Sequence, residues 1–305
     1  MKKTLPEIMR SSVFIGAQLL ALSVLFVPFT WWAIPLCFAL YIIRMFAITG
    51  GYHRYFSHRS YKTGRTFQFI LAFLGSTAMQ KGALWWAAEH RHHHRHSDQP
   101  EDIHSPVQKG FWWSHMGWII NRPSDHADYA LVKDLSQYPE LRFLNRFYLL
   151  PPLSLALALL LIGGPTALAW GFFMSTTLVW HGTFTINSLS HVFGSKRYAT
   201  TDESRNNFWL ALITLGEGWH NNHHAYQASC RQGFFWWEID ITYGILLTLQ
   251  KLGIVWDLKA PPLEKLEARR IDRLGQTTTK APSKAPLPAV ASVRVGTPIE
   301  AKAAH

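Results

Sequence analysis

Long apolar stretches alternate along the chain with stretches rich in His and Arg. This pattern is typical of a membrane protein that carries a polar catalytic surface. Four of the apolar stretches are about long enough to cross a hydrocarbon core of roughly 30 Å as helices. They cover residues 12–29, 31–49, 147–163 and 165–186. The first two predict one transmembrane hairpin, and the last two, joined by the turn sequence Gly163-Gly164-Pro165, predict a second.

The first apolar stretch has a rival interpretation as a cleaved signal peptide, because two lysines precede it. A second span follows at once and no A-x-A-like cleavage site closes the stretch, which favours a membrane helix. Two further apolar segments, 67–79 and 234–249, are less suited to crossing. The former is short, and Glu238 and Asp240 make a crossing costly for the latter. Each predicts a helix that is buried in a cap or lies at the membrane interface.

The charge distribution predicts the topology of these spans. The protein has 305 residues and a formal net charge of +11, and its cations flank the apolar spans. No nucleic-acid-binding motif accompanies them, so the basic charge indicates contact with lipid and not with nucleic acid. Basic residues are concentrated in segment 51–146 and at the N-terminus. The positive-inside rule therefore places that segment and both termini in the cytoplasm.

The predicted architecture is an all-α integral membrane protein. Four transmembrane helices lie beneath a helical cytosolic cap, which is formed by residues 51–146 and 187–258. The membrane domain as a whole covers residues 1–258. The basic segment 259–305 is rich in Lys, Ala and Pro, and is predicted to be a largely disordered tail. With two cysteines in the chain, no disulfide framework is expected.

The polar segments hold three groups of histidines at spacings typical of metal ligands. They are His53 and His58 in HRYFSH, His90, His93 and His94 in HRHHH, and His220, His223 and His224 in HNNHH. On a helix, positions i, i+3 and i+4 share a face, so each HxxHH sequence presents three imidazoles to one locus. Eight ligands exceed what one mononuclear site uses, which favours two metal ions close together. Imidazole suits Zn, Cu, Fe and Ni alike, so the spacing leaves the metal open.

Four motifs give the chain a resemblance to the membrane fatty acyl desaturases, most closely to stearoyl-CoA Δ9-desaturases of bacterial type. The motifs are HRYFSHRSYK (53–62), EHRHHH (89–94), NSLSH (187–191) and GEGWHNNHH (216–224). The resemblance covers about residues 10–258 and implies a mushroom-shaped membrane body whose cap holds two irons (Fe2+/Fe3+). The ligands that it implies are His53, His58, His90, His93, His94, His191, His220, His223 and His224, with Asn187 holding a water beside one iron. His92, although it lies within the second group, stays outside this set.

The same resemblance implies roles for residues around the metals. Trp86 and Trp180 are candidates for the wall of a bent acyl tunnel, and Arg122 matches a basic position near the headgroup of the acyl carrier. Carboxylates near ligand histidines commonly accept their second N–H and fix the tautomer. The candidates for that role are Glu89, Asp98 and Glu217.

The resemblance implies an O2-dependent reaction that inserts a cis double bond into a saturated acyl chain, with Δ9 position and an acyl-CoA substrate expected. Ala88 stands where the animal acyl-CoA enzymes carry an Arg that meets CoA, which leaves a lipid-linked acyl substrate open. Because no cytochrome b5-like HPGG segment is present, electrons are expected from a separate ferredoxin, rubredoxin or cytochrome b5-type protein and its reductase. The expected location is the bacterial inner membrane, with the active site on the cytoplasmic side.

Two other functions fit parts of this pattern. A di-iron membrane hydroxylase of acyl or alkyl chains would share the histidine groups and differ in its product. A membrane metal transporter with His-rich loops would require ionisable residues inside the spans. Only Arg44 and His181 lie at or within them, which favours an enzyme.

Overall fold

The computed structural model describes residues 5–121 and 127–271, and this part of the chain is mostly helical. In chain order the α-helices are α1 Leu5–Leu20, α2 Ala33–Phe46, α3 Arg65–Ser76, α4 Ala83–His96, α5 Pro106–Lys109, α6 Trp118–Asn121, α7 Lys133–Ser136, α8 Pro139–Arg146, α9 Leu150–Ala167, α10 Ser175–Ser188, α11 Phe208–Ile213, α12 His220–Ala225, α13 Ile241–Lys251 and α14 Leu263–Glu267. Wider π-helical turns follow α2 at Ala47–Ser57, precede α6 at Trp113–Gly117 and join α9 to α10 at Leu168–Met174. Tighter 3-10 turns lie at Ala21–Leu25 and Tyr129–Val132.

Two helices in the described residues are long and apolar enough to cross a membrane, namely Ala33–Ser57 and Leu150–Ser188. The first predicted span appears as a shorter apolar helix, Ser11–Leu25. The 39-residue helix Leu150–Ser188 is interrupted at Gly164, where φ is +64° and ψ is −162°. This left-handed backbone favours Gly, and the break lies within the predicted Gly-Gly-Pro turn. The two long helices are thus established by length and composition, while the arrangement of four spans stays a prediction.

A buried arginine joins the apolar helices. Arg44 on α2 is 1% exposed, and its guanidinium donates to the hydroxyls of Thr176, at 2.6 Å, and Ser175 on α10. It also reaches the carbonyl of Thr77, which follows α3, at 3.4 Å. A charged group in an apolar helix needs such partners, because an unpaired one would be costly to bury. Arg44 therefore fixes α2 against α10 and against the start of the cap.

The cap contains one small departure from the predicted all-α fold. Strand β1, Lys62–Thr63, pairs antiparallel with β2, Val255–Trp256, with Lys62 opposite Trp256. The pairing brings the segment after the first histidine group to the end of the cap. Two-residue strands contribute few hydrogen bonds, so packing and not the ladder stabilises this region.

Helices were predicted for the two shorter apolar segments, 67–79 and 234–249, and the structure agrees with the first more closely than with the second. Segment 67–79 lies in α3 for most of its length, so its predicted helix is confirmed. The helix predicted over 234–249 is wrong in its first half, because α13 begins only at Ile241. The Asp240 carboxylate accepts from the backbone N–H of Tyr243 at 2.9 Å and so caps that helix. The apolar residues before it lie in irregular chain, in which Phe234 is buried and Trp236 is 80% exposed.

Ordered chain continues beyond residue 258. Leu266 on α14 is 4% exposed and packs in a small core with Tyr198, Ala225 and Phe234. Arg269 donates from Nη1 to the carbonyl of Ala225 at 2.7 Å, at the end of α12. Residues 259–271 therefore pack over the helix that carries the last histidine group. The rest of the predicted tail, and Arg122, lie outside the described residues.

Candidate metal centre and acyl cavity

Four parts of the fold supply histidines to one interior region. His53 lies in the π-helical turn after α2, and His58 directly follows that turn. Helix α4 supplies three of its five histidines, helix α12 supplies three, and His191 lies in the turn after α10. A wider π turn rotates successive side chains differently from an α-helix, which is a common device at functional sites. The fold thus converts three short sequence motifs and one distant histidine into a single cluster.

The cluster divides into two groups, and within each the candidate ligand atoms lie within 4.8 Å of one another. One group holds His53, His58, His90, His94 and His223, and the other holds His93, His191, His220 and His224. His93 and His94 are neighbours on α4 and yet belong to different groups. Consecutive helical side chains point about 100° apart, so one helix can serve two adjacent sites.

The nitrogens face one another at short range. In the first group the Nε2 atom of His94 lies 2.9 Å from that of His90 and 3.0 Å from that of His223. The same group is extended by Nε2 pairs between His58 and His90, at 2.8 Å, and between His53 and His223, at 3.1 Å. In the second group the Nε2 atoms of His191 and His220 are 3.0 Å apart. Two nitrogens bound to one ion at about 2.1 Å and at right angles would be about 3.0 Å apart.

Carboxylates orient four of the rings from behind. The Nδ1 atoms of His53 and His191 lie 2.5 Å from Glu217 and 2.9 Å from Asp98. Those of His93 and His224 lie 3.0 Å from Asp102 and 2.5 Å from Asp202. When Nδ1–H donates to a carboxylate, the Nε2 atom of a neutral ring keeps a bare lone pair. Such lone pairs repel one another at about 3 Å, and a cation between them converts this repulsion into binding.

The protonation states of the buried histidines also favour metal binding. Burial, reinforced by repulsion among the rings, holds the pKa of His58, His90, His94, His220 and His223 well below its ordinary value. Neutral imidazole is the form that binds metals. The Nε2 atom of His224 is also buried without a hydrogen-bond partner, which marks it as a donor for an ion. The residues therefore fit two metal ions, one in each group.

The orienting carboxylates are charged. Burial raises the pKa of Asp202, but the His224 ring and hydrogen bonds from Ser204 lower it by more, to below its usual range. For Glu217, burial is likewise outweighed by His53 and Arg54, so the pKa falls. Asp98 and Glu217 were candidates for this role from the sequence, and each contacts a histidine. The sequence did not indicate Asp102 or Asp202 as orienting carboxylates. Glu89, the third candidate from the sequence, lines the neighbouring cavity.

We expect Asp202→Asn to weaken metal binding roughly tenfold to a hundredfold, the range for loss of an orienting partner. The neutral amide accepts the His224 Nδ1–H more weakly and can instead donate its own N–H to Nδ1, so that ring loses its fixed tautomer. Metal retained per chain during titration with a competing chelator measures the effect. Asp257→Asn is the matched control, because Asp257 is half exposed and pairs with Lys62 at the surface. Equal metal retention in the two variants would contradict the role assigned to Asp202.

An interior cavity of about 520 Å³ adjoins the histidines, and His53, His90, His93 and His220 form part of its wall. Much of the remaining wall is apolar and includes Phe14, Met45, Ile48 and Phe184. This size and lining suit a long apolar ligand held beside a polar group.

The three tunnel and headgroup candidates have different placements. Trp86 lines the cavity and stacks on His90, with ring centroids 4.9 Å apart and planes at 18°. Trp180 also lines it, and its indole N–H donates to the Ala78 carbonyl at 2.7 Å. Arg122 lies outside the described residues. Ala88 is 1% exposed in the core of the cap, so this position offers no polar contact to a headgroup.

The remaining candidates are placed as follows. Asn187 lines the cavity, and its backbone carbonyl accepts from Ser114 at 2.9 Å. His92 belongs to neither group, and its ring packs at a tilt against that of His96, with centroids 4.8 Å apart. Its Nε2 atom lies 3.2 Å from the carbonyl of Glu101. The structure thus separates His92 from the three histidines that surround it on α4.

Long apolar helices, two histidine groups that fit metal ions and an adjoining apolar cavity are together typical of membrane metalloenzymes that act on apolar chains. Residues 29–247 match the family model "Fatty acid desaturase". The chain is 40% identical to an sn-1 stearoyl-lipid 9-desaturase of Anabaena variabilis over 81% of this chain and 91% of the relative. The chain belongs to the membrane fatty acid desaturase family, whose members introduce double bonds during unsaturated fatty acid biosynthesis.

Two other relatives have the same sequence identity to this chain and are named for different substrates. The chain is 38% identical, over 82% of its length and 68% of the relative's, to a chloroplastic palmitoyl-monogalactosyldiacylglycerol delta-7 desaturase of Arabidopsis thaliana. An acyl-CoA C20 Delta5-desaturase of Anemone leveillei is also 38% identical, over 82% of this chain and 81% of the relative. The relative from Anabaena variabilis and the delta-7 desaturase are both named for lipid-linked chains. The expected acyl-CoA type is therefore not specifically supported.

Proposed function

We propose that the protein is an O2-dependent acyl-lipid Δ9-desaturase. The observation that carries the proposal is the contact between the two histidine groups and one wall of an apolar cavity. Relatives named as stearoyl-lipid 9-desaturases, from Anabaena variabilis and from a Synechocystis strain, are each 40% identical to this chain and support the acyl-lipid substrate and the Δ9 position. An acyl-CoA substrate is the alternative that the same site would admit.

The five-histidine group would hold one iron and the four-histidine group the other, with Asn187 positioned on the cavity wall to hold a water. When bound and supplied with two electrons, the irons provide the oxidising power to reduce O2 to two waters using two protons and two substrate hydrogens. One hydrogen leaves each of two adjacent carbons, and a double bond forms between them. The electrons would come from a separate ferredoxin, rubredoxin or cytochrome b5-type protein and its reductase.

The chain's own contribution is positioning. A saturated methylene chain offers no polar group to recognise, so the cavity wall must select the carbon pair by geometry. Trp86 lies against His90 and fixes the wall where the cavity meets the metal ligands. Trp180 is held by Ala78 and stacks on Phe14, with ring centroids 5.2 Å apart. These rigid aromatic rings limit how far the acyl chain shifts along the cavity.

The proposal includes a multi-pass protein of the bacterial inner membrane with the metal centre on the cytoplasmic side. The apolar helices Ala33–Ser57 and Leu150–Ser188 support membrane insertion, and the latter has its break where two spans would be joined. Basic residues concentrated between the two predicted hairpins support the orientation.

Expression in a bacterial host, with a ferredoxin and its reductase supplied, is expected to produce new cis monounsaturated chains in membrane lipids. Gas chromatography of fatty acid methyl esters and mass spectrometry of their dimethyl disulfide adducts would report the amount and position of the double bond. A host carrying the redox proteins alone is the control. An unchanged fatty-acid profile would contradict desaturation, a hydroxylated product would indicate a hydroxylase, and unsaturation at another carbon would contradict Δ9.

A further inference from the structure

A second apolar groove, of about 350 Å³, lies between α1 and the start of α9. One stripe of α1 forms its first wall, with Val13, Gly16, Ala17 and Leu20 at the spacing of a single helical face. The remaining wall consists of Met79, Leu149, Pro152, Leu153, Phe172 and Phe173. Every lining residue is therefore apolar. The groove is open at its outer edge, because Leu153 is 63% and Leu20 48% exposed.

The groove is a direct neighbour of the cavity beside the metal centre. Val13, Met79 and Leu149 line both spaces, so these three side chains stand between them. Both neighbouring helices are apolar, and the exposed edge of the groove continues their lipid-facing surface. The groove is thus continuous with the surface through which a membrane lipid would approach.

We propose that this groove binds the second, non-reacting acyl chain of a two-chain glycerolipid while the first chain occupies the cavity. The inference rests on the proposed acyl-lipid function and adds a binding site to it. A glycerolipid carries two chains on adjacent carbons, so a protein that takes one chain must provide an apolar place for the other. The groove has the lining for a hydrocarbon chain, whereas it offers no polar group to a nucleotide.

Polar groups lie where the glycerol end of such a lipid would be. Lys81 and Tyr148 line the cavity beside Leu149, and the Lys81 ammonium is 3.2 Å from the Tyr148 hydroxyl. The Tyr52 hydroxyl donates to the Lys81 carbonyl at 3.1 Å and holds this backbone, whose φ is +68°. An ammonium and a hydroxyl suit the ester and phosphate oxygens of a lipid. The junction of the two spaces therefore matches the branch point of the ligand.

Gly16 provides a direct test, because a Cβ atom at this position would meet nothing within 4 Å. In Gly16→Leu the side chain starts in open space on the wall of the groove, and Leu is the better helix former, so the fold should be retained. The matched control is Gly244→Leu, since Gly244 lies in α13, away from the groove, and also has open space at its Cβ. Both variants would be reconstituted with the electron donor.

The substrates are 1-stearoyl-2-oleoyl phosphatidylglycerol and the single-chain 1-stearoyl lysophosphatidylglycerol. For Gly16→Leu we expect the ratio of diacyl to single-chain kcat/KM to fall roughly tenfold, as for the loss of a few buried methylene contacts. For Gly244→Leu the ratio should match the wild type. A Gly16→Leu ratio equal to that of the wild type would overturn the proposal.

A binding measurement keeps this inference separate from the proposed function. A diacyl lipid with a photoreactive diazirine on its second chain should label peptides containing residues 13–20 or 149–153, and Gly16→Leu should lose that labelling. Labelling elsewhere, or labelling unchanged in Gly16→Leu, would overturn the groove assignment even with active enzyme. A wild type that converts stearoyl-CoA alone and is not labelled would contradict both the acyl-lipid substrate and the groove.

Discussion

Replacement of His94 by Ala is expected to abolish desaturation, by roughly 1,000-fold or more, since ligands of one centre act as a unit. His94 is central to the five-histidine group, because its Nε2 atom lies within 3.0 Å of the Nε2 atoms of both His90 and His223. Its loss opens the group on the side that faces those two rings. We expect the iron content to fall from about two ions per chain to one or fewer, as measured by elemental analysis of the purified protein.

His92→Ala is the control for this experiment. It removes an imidazole from the same helix, but the ring of His92 packs at a tilt against His96 and contacts the Glu101 carbonyl, outside both groups. Iron content and product formation in His92→Ala should equal those of the wild type. Full iron content in His94→Ala, or equal losses in the two variants, would contradict the ligand assignment.

Arg54→Met is expected to destabilise the folded protein by about 3–5 kcal/mol, the usual result of removing one partner of a buried ion pair. The Arg54 guanidinium is 1% exposed and lies 3.1 Å from Glu217 and 3.0 Å from Asp240. It also donates to the Cys230 carbonyl at 2.8 Å. Without it, two carboxylates are left in the interior, and one of them orients His53. The apparent Tm of the detergent-solubilised protein should fall by roughly 10 °C.

The matched control is Arg65→Met. Arg65 makes two 2.7 Å contacts with Glu140, yet its side chain is 63% exposed, so water replaces the lost partner. Its effect on Tm should be much smaller than that of Arg54→Met. If the two variants had equal Tm values, burial would not be the reason for the stability of the Arg54 network.

Arg54→Met should also release metal from the five-histidine group faster than Arg65→Met does, because Glu217, which orients His53, loses one of its fixed partners.

Local sequence signals predicted the helical elements well where one residue type decides the conformation. The Gly-Gly-Pro sequence fixed the break at Gly164, since few residues other than Gly adopt its positive φ. Apolar length alone was less informative. Segment 234–249 has the composition of a helix, but the start of α13 depends on Asp240, whose carboxylate is held by Arg54 from a distant part of the chain. A tertiary contact of this kind leaves no periodic pattern.

The candidate metal site was also predictable from the sequence only where local spacing determines it. Six of the nine histidines lie on two helices at i, i+3 and i+4, and His53 and His58 form a further close pair, so eight could be grouped by spacing. His191 came from the family resemblance. The orienting carboxylates followed this rule only in part. Glu217 lies three positions before His220 in the sequence, yet the ring that it orients is that of the distant His53. Asp202 reaches His224 from a loop 22 positions away. Helical geometry is readable from the sequence, while a loop's approach to a ring is set by packing that no spacing encodes.

The Nε2 atoms of His53 and His223 are 3.1 Å apart, although 170 positions separate the two residues. A metal ion held there closes a loop of 170 positions, and its binding offsets the entropy that this closure costs. Each histidine group includes residues of α12, so neither group is complete until that helix has been synthesised. Iron supply would then govern how much of the protein survives proteolysis after synthesis, in addition to how fast each molecule turns over.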